Sequence, residues 1–371
     1  MGAQASTRLP ASDYRFLLRR LEDALLGRDP ALARAQVVSL TLGCVVAVLA
    51  VVSCAALSVL RPQPELGSAR IAVGQPSGAL YARVGDVWHP VLNLASARLI
   101  AAAAEDPVPV PDSVLTRTER GALLGIPGAP QFLGQPLTIG ESGWTVCDGR
   151  RGLGTTVLVG PVGSGGVRRL PPDRALLVAT SSNSPAYLLF GGRRALVDLT
   201  DPAVLSTLAP PPGGPHIVSK TLLAAVPETR PVTAPVVTAD DSTVCAQWRP
   251  ARSGAADIEF LAGDGPAAGH AVMLAQADGA GPEVDAVALP QGRSAYVLAR
   301  GVTGAGIGTR YFVNETGVRF PVSDDGAAEV LGLASLAVPA PWPVLAALPC
   351  GPELSSQAAS VVRDTIGTHP S

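Results

Sequence analysis

The sequence predicts a single-span membrane protein: an amphipathic cytoplasmic helix, one transmembrane helix, and an α+β extracytoplasmic body of small repeats around a central β-rich domain. Three observations carry this expectation. Residues 35–60 run for 26 positions without Asp, Glu, Lys, Arg or His, between Arg34 and Arg61. Such a helix reaches about 39 Å, enough to cross a hydrocarbon core of about 30 Å with some tilt. Beyond it, 40 glycines and 35 prolines punctuate a chain with only 4% aromatic residues. That composition favours short strands built on Val, Leu, Ile and Ala. Finally, one pattern recurs three times after the span.

Before the span, Tyr14, Leu17, Leu18, Leu21 and Leu25 follow the spacing of one helical face. Ser12 suits the N-cap and Asp13 the positive end, Gly27 is a stop, and Asp29-Pro30 restarts a helix into the span. Six arginines (Arg8, Arg15, Arg19, Arg20, Arg28, Arg34) precede the span, whereas Arg61 and Arg70 follow it closely. Lys and Arg near a span set its orientation, so the arm is expected in the cytoplasm and the body outside. A cleaved signal peptide would need a short charged region, and 34 residues stand here instead. Val51-Val52-Ser53-Cys54 resembles a lipoprotein processing site, and the same long arm argues against it.

In the body, the first copy of the pattern has a strand at 71–73, Gly78-Ala79-Leu80-Tyr81, Val87-Trp88-His89-Pro90-Val91 and a helix from Ala95. The second has Leu176-Leu177-Val178, Tyr187-Leu188-Leu189-Phe190, Arg194-Ala195-Leu196-Val197-Asp198 and a helix from Ala203. The third has Tyr296-Val297-Leu298, Tyr311-Phe312-Val313, Arg319-Phe320-Pro321-Val322 and a helix near Ala327. Each ends on a Pro-containing phrase, as in Leu223-Ala224-Ala225-Val226-Pro227 and Leu345-Ala346-Ala347-Leu348-Pro349. The β-like stretches around Thr145-Val146-Cys147 and Val244-Cys245-Ala246 flank the second copy, and a sheet drawn from both would bring Cys147 and Cys245 together. The expected boundaries are 1–34 (arm), 35–60 (span), 61–137 (first repeat), 138–175 (first central segment), 176–237 (second repeat), 238–292 (second central segment), 293–357 (third repeat) and 358–371 (flexible tail).

Charge and motif content narrow the function. The net charge is −2, and no basic field for nucleic acid exists. The four histidines are scattered and no cysteine pair is close enough for a zinc site. Three body cysteines in an oxidising compartment permit one bridge and leave one over. The run Gly214-Pro215-His216-Ile217-Val218-Ser219-Lys220-Thr221 misses a phosphate-binding loop by one residue, Ser219, and follows prolines where a strand is required. A helix start is the better reading of it. Asp324-Asp325 reads as a turn opening a helix, and no catalytic constellation, cofactor site or metal site is apparent.

The arm from Asp13 to Leu25, the span, and Gly78-Ala79-Leu80-Tyr81 through His89-Pro90-Val91-Leu92-Asn93-Leu94-Ala95-Ser96-Ala97-Arg98-Leu99-Ile100 resemble the EccB family, as does Ile126-Pro127-Gly128-Ala129-Pro130. The resemblance covers nearly the whole chain. It implies a structural subunit of the type VII (ESX) secretion membrane complex of actinobacteria, in the cell membrane with its body outside. It further implies self-association and partners among the EccC ATPase, EccD, EccE and the mycosin protease, with cytoplasmic parts of EccD or EccC forming a groove for the Tyr14, Leu18, Leu21, Leu25 face. The family bridge maps onto Cys147 and Cys245, leaving Cys350 as an extra. The family has four repeats, so one is lost here or hidden between Asp240 and Gln291. The alternatives are a membrane-anchored peptidoglycan-binding module and an ATP-hydrolysing component, since some relatives carry an ATPase label; the chain itself is expected not to be an enzyme.

Overall fold

A computed structural model of the chain describes residues 11–26, 30–60, 66–149, 154–162, 166–208, 210, 213–230, 236–238, 243–251, 256–265, 271–277, 284–306, 308–333 and 336–364, in two units, 1–65 and 66–371. The first unit holds helices α1 (Ala11–Leu25) and α2 (Pro30–Leu60). Helix α1 begins at Ala11, which places Ser12 inside its first turn and not at the cap. Pro30 opens α2, where its missing N–H costs no hydrogen bond. Residues 37–56 within α2 have a mean hydropathy of 2.6 and none is buried, as a lipid-facing helix requires. Thr41 turns its hydroxyl back onto the Val37 carbonyl at 2.9 Å, satisfying within the helix a donor that hydrocarbon would leave unpaired.

In the second unit one pairing scheme occurs three times. The first module has strands Ile71–Gln75, Leu80–Val84 and Val87–Val91 in antiparallel succession, then α3 (Leu94–Ala101), a return strand Val108–Pro111 parallel to the first, and α4 (Asp112–Leu115). The second has Arg174–Ala179, Ala186–Phe190 and Arg193–Val197, α5 (Pro202–Leu208), the return strand His216–Ile217 and α6 (Lys220–Ala224). The third has Arg293–Arg300, Arg310–Val313 and Arg319–Val322, α7 (Asp325–Val330), the return strand Val338–Pro341 and α8 (Trp342–Ala346). Tyr81, Tyr187 and Tyr311 hold the same register, opposite Ala72, Val178 and Val297. In the second module the hairpin turns on Gly191 and Gly192, both at positive φ, the backbone of the tight turns that match strand twist.

Between these modules lies a seven-stranded sheet in the order Val272–Met273, Ala286–Ala288, Thr155–Val159, Trp144–Asp148, Thr243–Pro250, Ala256–Gly263, Val167–Arg169. The stretch 240–291 therefore feeds this sheet with four strands and holds no fourth copy among its described residues. Every residue of Trp144–Asp148 is buried, because this strand is covered on both faces. Cys147 lies opposite Cys245, and the two are joined in a disulfide. One residue further along the strand is Asp148; in the other direction the register reaches the Trp144–Trp248 pair, buried in the main core with Leu176, Leu189, Val297 and Leu345.

A second core joins the first and third modules through Ala95, Leu99 and Ile126 with Phe312, Phe320 and Leu331. The segment expected to be a flexible tail differs up to residue 364: α9 (Ser356–Ala359) buries Ala359, and Val362–Arg363 pairs with Leu123–Leu124 of the first module. The apolar Ala359 and the open edge at Leu124 outweigh the polar composition that suggested fraying. Residues 365–371 lie outside the described residues.

One polar knot crosses the main core. Thr155 donates its hydroxyl to Asp148 Oδ1 at 2.8 Å, and the Ser219 backbone N–H donates to Asp148 Oδ2 at 2.6 Å. The Thr155 N–H donates to Asp285 Oδ2 at 2.6 Å. Asp148 thus ties the central sheet to the cap of α6, since the Ser219 hydroxyl in turn accepts from the Leu222 N–H. Burial pushes the Asp148 carboxyl up to about 6, against the hydrogen bonds that lower it, with the charge of Asp285 adding to the rise. A carboxyl raised in the folded state binds its proton more tightly there, so it stabilises the fold at low pH. That contribution falls as pH climbs from the unfolded value of about 4 to about 6. We expect unfolding of the full chain in detergent to lose about 3 kcal/mol from this group across that window, and Asp148→Asn to flatten the slope; an unchanged slope rejects the assignment. Separately, a bridge closing a loop of sequence separation 98 contributes about 4–5 kcal/mol on the chain-entropy account. Replacing Cys147 and Cys245 together by Ser should lower the denaturant midpoint accordingly, and peptide mapping that finds Cys245 joined to Cys350 would contradict the pairing.

Candidate assembly surfaces

Among the described residues, helix α1 presents an uncovered apolar face. Tyr14 is 62% exposed, Leu18 45%, Leu21 60% and Leu25 78%, and Leu17 is exposed on the same face. Arg15, Arg19 and Arg20 share the helix, also exposed. Large apolar side chains in such a cluster mark a surface made to be covered, by lipid or by protein.

Two of the residues with a possible chemical role, Ser219 and Asp324, cap helices. Ser219, standing where a phosphate loop needs glycine, is the N-cap of α6, and Lys220 is that helix's exposed first residue. Gly213 and Gly214 precede the two-residue strand His216–Ile217, and among the described residues the element before them is α5 (Pro202–Leu208). Asp324 caps α7 by accepting from the Ala327 N–H at 2.8 Å, and this and the Ser323 hydroxyl hold its carboxyl below the usual range. His89 is half-buried with Nδ1 2.9 Å from the Ala122 carbonyl. Among the described residues no group of three or more His, Cys, Asp or Glu could hold a metal ion. Cys44, Cys54 and Cys350 are free and exposed.

Two stretches far apart in sequence meet at the start of α3. Asn93 caps the helix by accepting from the Ser96 N–H and donates to the Ile126 carbonyl, while the Ile126 N–H donates to the Ser96 hydroxyl. Asn93-Leu94-Ala95-Ser96 and Ile126-Pro127-Gly128-Ala129-Pro130 are thus locked together by buried hydrogen bonds. Arg98 then reaches from α3 to the Leu331 carbonyl at the end of α7, at 2.8 Å. In each module an arginine lies over the recurrent tyrosine: Arg120 over Tyr81, Arg194 over Tyr187, and Arg319 over Tyr311 and Trp342, at 5.2–5.7 Å. Sequence reading placed the tyrosines and the phrases that hold Arg194 and Arg319, and missed the pairing itself, because Arg120 comes from a loop with no repeat signature.

The second module carries a groove of about 1090 Å³, floored by Ala186 and Leu188 and walled by Leu199, Val204, Thr207 and Leu208. No sequence signal pointed to it.

Comparison with known proteins gives these surfaces a context. The family model described as "Type VII secretion system ESX-1, transport TM domain B" matches residues 3–241 and 236–368. The chain is 29% identical to the ESX-3 secretion system ATPase EccB3 of Mycolicibacterium smegmatis, over 98% of its own length and 92% of that relative's. It is 28% identical to the ESX-5 secretion system ATPase EccB5 of Mycobacterium marinum, over 98% and 95%. The first alignment runs over 480 positions against 371 residues here, so that relative has more than a hundred positions without a counterpart in this chain. Among solved structures, a chain of the intact ESX-5 inner membrane complex is similar with a TM-score of 0.70 and 25% identity, covering 100% of this chain and 98% of that one. The EccB3 dimer of the ESX-3 core complex is similar with a TM-score of 0.62 and 26% identity, covering 79% and 100%. With its span, its body and both halves of the family pattern present, the chain belongs to the EccB family of membrane components of type VII (ESX) secretion.

Proposed function

We propose that the chain acts as a scaffold of the type VII secretion membrane complex, joining cytoplasmic machinery to the cell-wall side through its one span. The observation that carries this is the exposed apolar face of α1 on a family member whose solved relatives sit in ESX inner membrane complexes. The excess of arginine before residue 35 supports a cytoplasmic α1 and an extracytoplasmic body. The partners that fit are the EccC, EccD and EccE subunits and the mycosin protease, with self-association as in the EccB3 dimer.

Lipid and protein make different demands on α1. Its arginines attract anionic headgroups at roughly 1 kcal/mol each, and lipid is indifferent to which apolar residue occupies a position. A protein groove is not, because truncating a packed Leu costs about 2–5 kcal/mol. Leu18→Ala with Leu21→Ala should therefore leave membrane insertion intact and release the protein from its complex. Full co-purification of the double variant with its partners would show that the face rests on lipid.

The relatives' names include the word ATPase, and our reading of this chain is that it supplies no ATP hydrolysis. The support is the use of Ser219 and Lys220 as a helix cap and first turn, where a phosphate loop would need glycine and a backbone cradle. We expect no phosphate release above background from the purified chain. Steady release that is lost on Lys220→Ala would overturn this.

A further inference from the structure

The disulfide lies on the face of the central sheet turned away from the main core. Cys147 stands opposite Thr156 and Cys245, and Cys245 opposite Leu261. Trp144, Val146 and Trp248 of the same strands belong to the main core instead. On the outer face the two cysteines and Leu158 form a small apolar cluster with Val162, Val167, Leu261 and Ala288. Cys147 is 2% exposed and Cys245 0%. Of that cluster, Val162 alone comes from outside a strand.

The sheet order accounts for its position. The chain leaves Thr155–Val159 at Gly160 and enters the edge strand Val167–Arg169, with three strands lying between the two. The connection must cross one face of the sheet, and Val162 beside the cysteines marks the outer one. Both ends are tied. The Gly160 N–H donates to the Gly143 carbonyl at 2.8 Å, and the Asp264 N–H to the Gly166 carbonyl at 3.0 Å. Little else holds the connection among the described residues. Residues 160–167 include Gly160, Gly163, Gly165 and Gly166, which bury no side chain and lose the most backbone freedom on ordering. Pro161 is exposed and Val162 half-buried, and a cavity of about 330 Å³ is lined by both together with Gln247 and Leu261 of the sheet.

We propose that this connection is a removable seal on the bridge: thiols reach Cys147 and Cys245 by its local opening, while the sheet beneath stays paired. Exchange requires a thiolate to attack one sulfur, forming a mixed disulfide and releasing the other cysteine as a thiolate. Sulfurs buried under Val162 offer no line of attack. Opening the strands would break the central pairing and the main core, whereas lifting Val162 costs one half-buried side chain, and segments with few buried contacts open first. The seal also protects the pairing. Cys350 is free and exposed, and a spare thiol can scramble a bridge that it can reach. With the seal shut, the Cys147–Cys245 bond stays out of its reach.

The test uses the full-length chain in detergent, with dithiothreitol as reductant and free thiols trapped by iodoacetamide and located by peptide mass. The dithiol gives up two electrons and closes to a cyclic disulfide, while the bridge takes them up with two protons and becomes two thiols. Cys350 should be trapped without reductant. In the folded chain the bridge should be reduced at least about a hundredfold more slowly than in the urea-unfolded chain. Low, non-denaturing urea should change that rate little, because a local opening exposes little surface. Val162→Ala should speed reduction roughly tenfold, the worth of the apolar groups it removes, while Val162→Ile should stay as slow as the native residue. The urea dependence needs no variant, so it decides even where Val162→Ala disturbs folding. Reduction as fast as in the unfolded chain would show an open bridge. A rate that climbs with the full unfolding slope would show a route through global unfolding, and a folded Val162→Ala chain reduced at the native rate would show a different cover. Each of these overturns the proposal.

Discussion

The body depends on the junction of Trp144–Asp148 with Thr243–Pro250. These strands come from opposite sides of the second module, and their pairing closes a long loop around it. Within the register of this one pair lie the disulfide, the opposed and buried Trp144 and Trp248, and Asp148 with its bond to the cap of α6. Loop closure of this length is entropically costly, and the covalent bridge removes much of that cost from folding. With the strands fixed, the second module is held at both its ends and cannot separate from the central sheet without opening the knot at Asp148.

From that junction the other modules are placed by packing. The third shares the main core with the second through Val297, Val344 and Leu345, and a second core with the first through Phe312 and Leu331. The strand Val362–Arg363 then returns to the first module, so the two ends of the body meet. A body closed in this way resists relative motion of its modules.

The apolar helix and the succession of two or three strands and a helix in each module were legible because their signals are local, whereas the parallel return strands were not read. A charge-free run of 26 residues has few other readings, and the tyrosine spacing located the second strand of each module. Cysteine placement on either side of the second copy indicated the central pairing. Contacts between distant residues were not legible. Asp148 and Ser219 are 71 positions apart, and nothing in either neighbourhood marks them as partners. The docking of Val362–Arg363 depends on the edge at Leu123–Leu124, far upstream, and composition alone pointed the wrong way. The groove beside α5 arises from what does not pack there, which no sequence pattern records.

If the central junction organises the body, its backbone must be the last to open, since local stability follows buried contacts and shared hydrogen bonds. Amide hydrogen exchange on the full-length chain in detergent measures this directly. The account predicts that amides of Trp144–Asp148 and Thr243–Pro250 exchange slowest within residues 66–371, with Pro202–Leu208 among the fastest. Central strands that exchange as quickly as that helix, with the bridge intact, would contradict it.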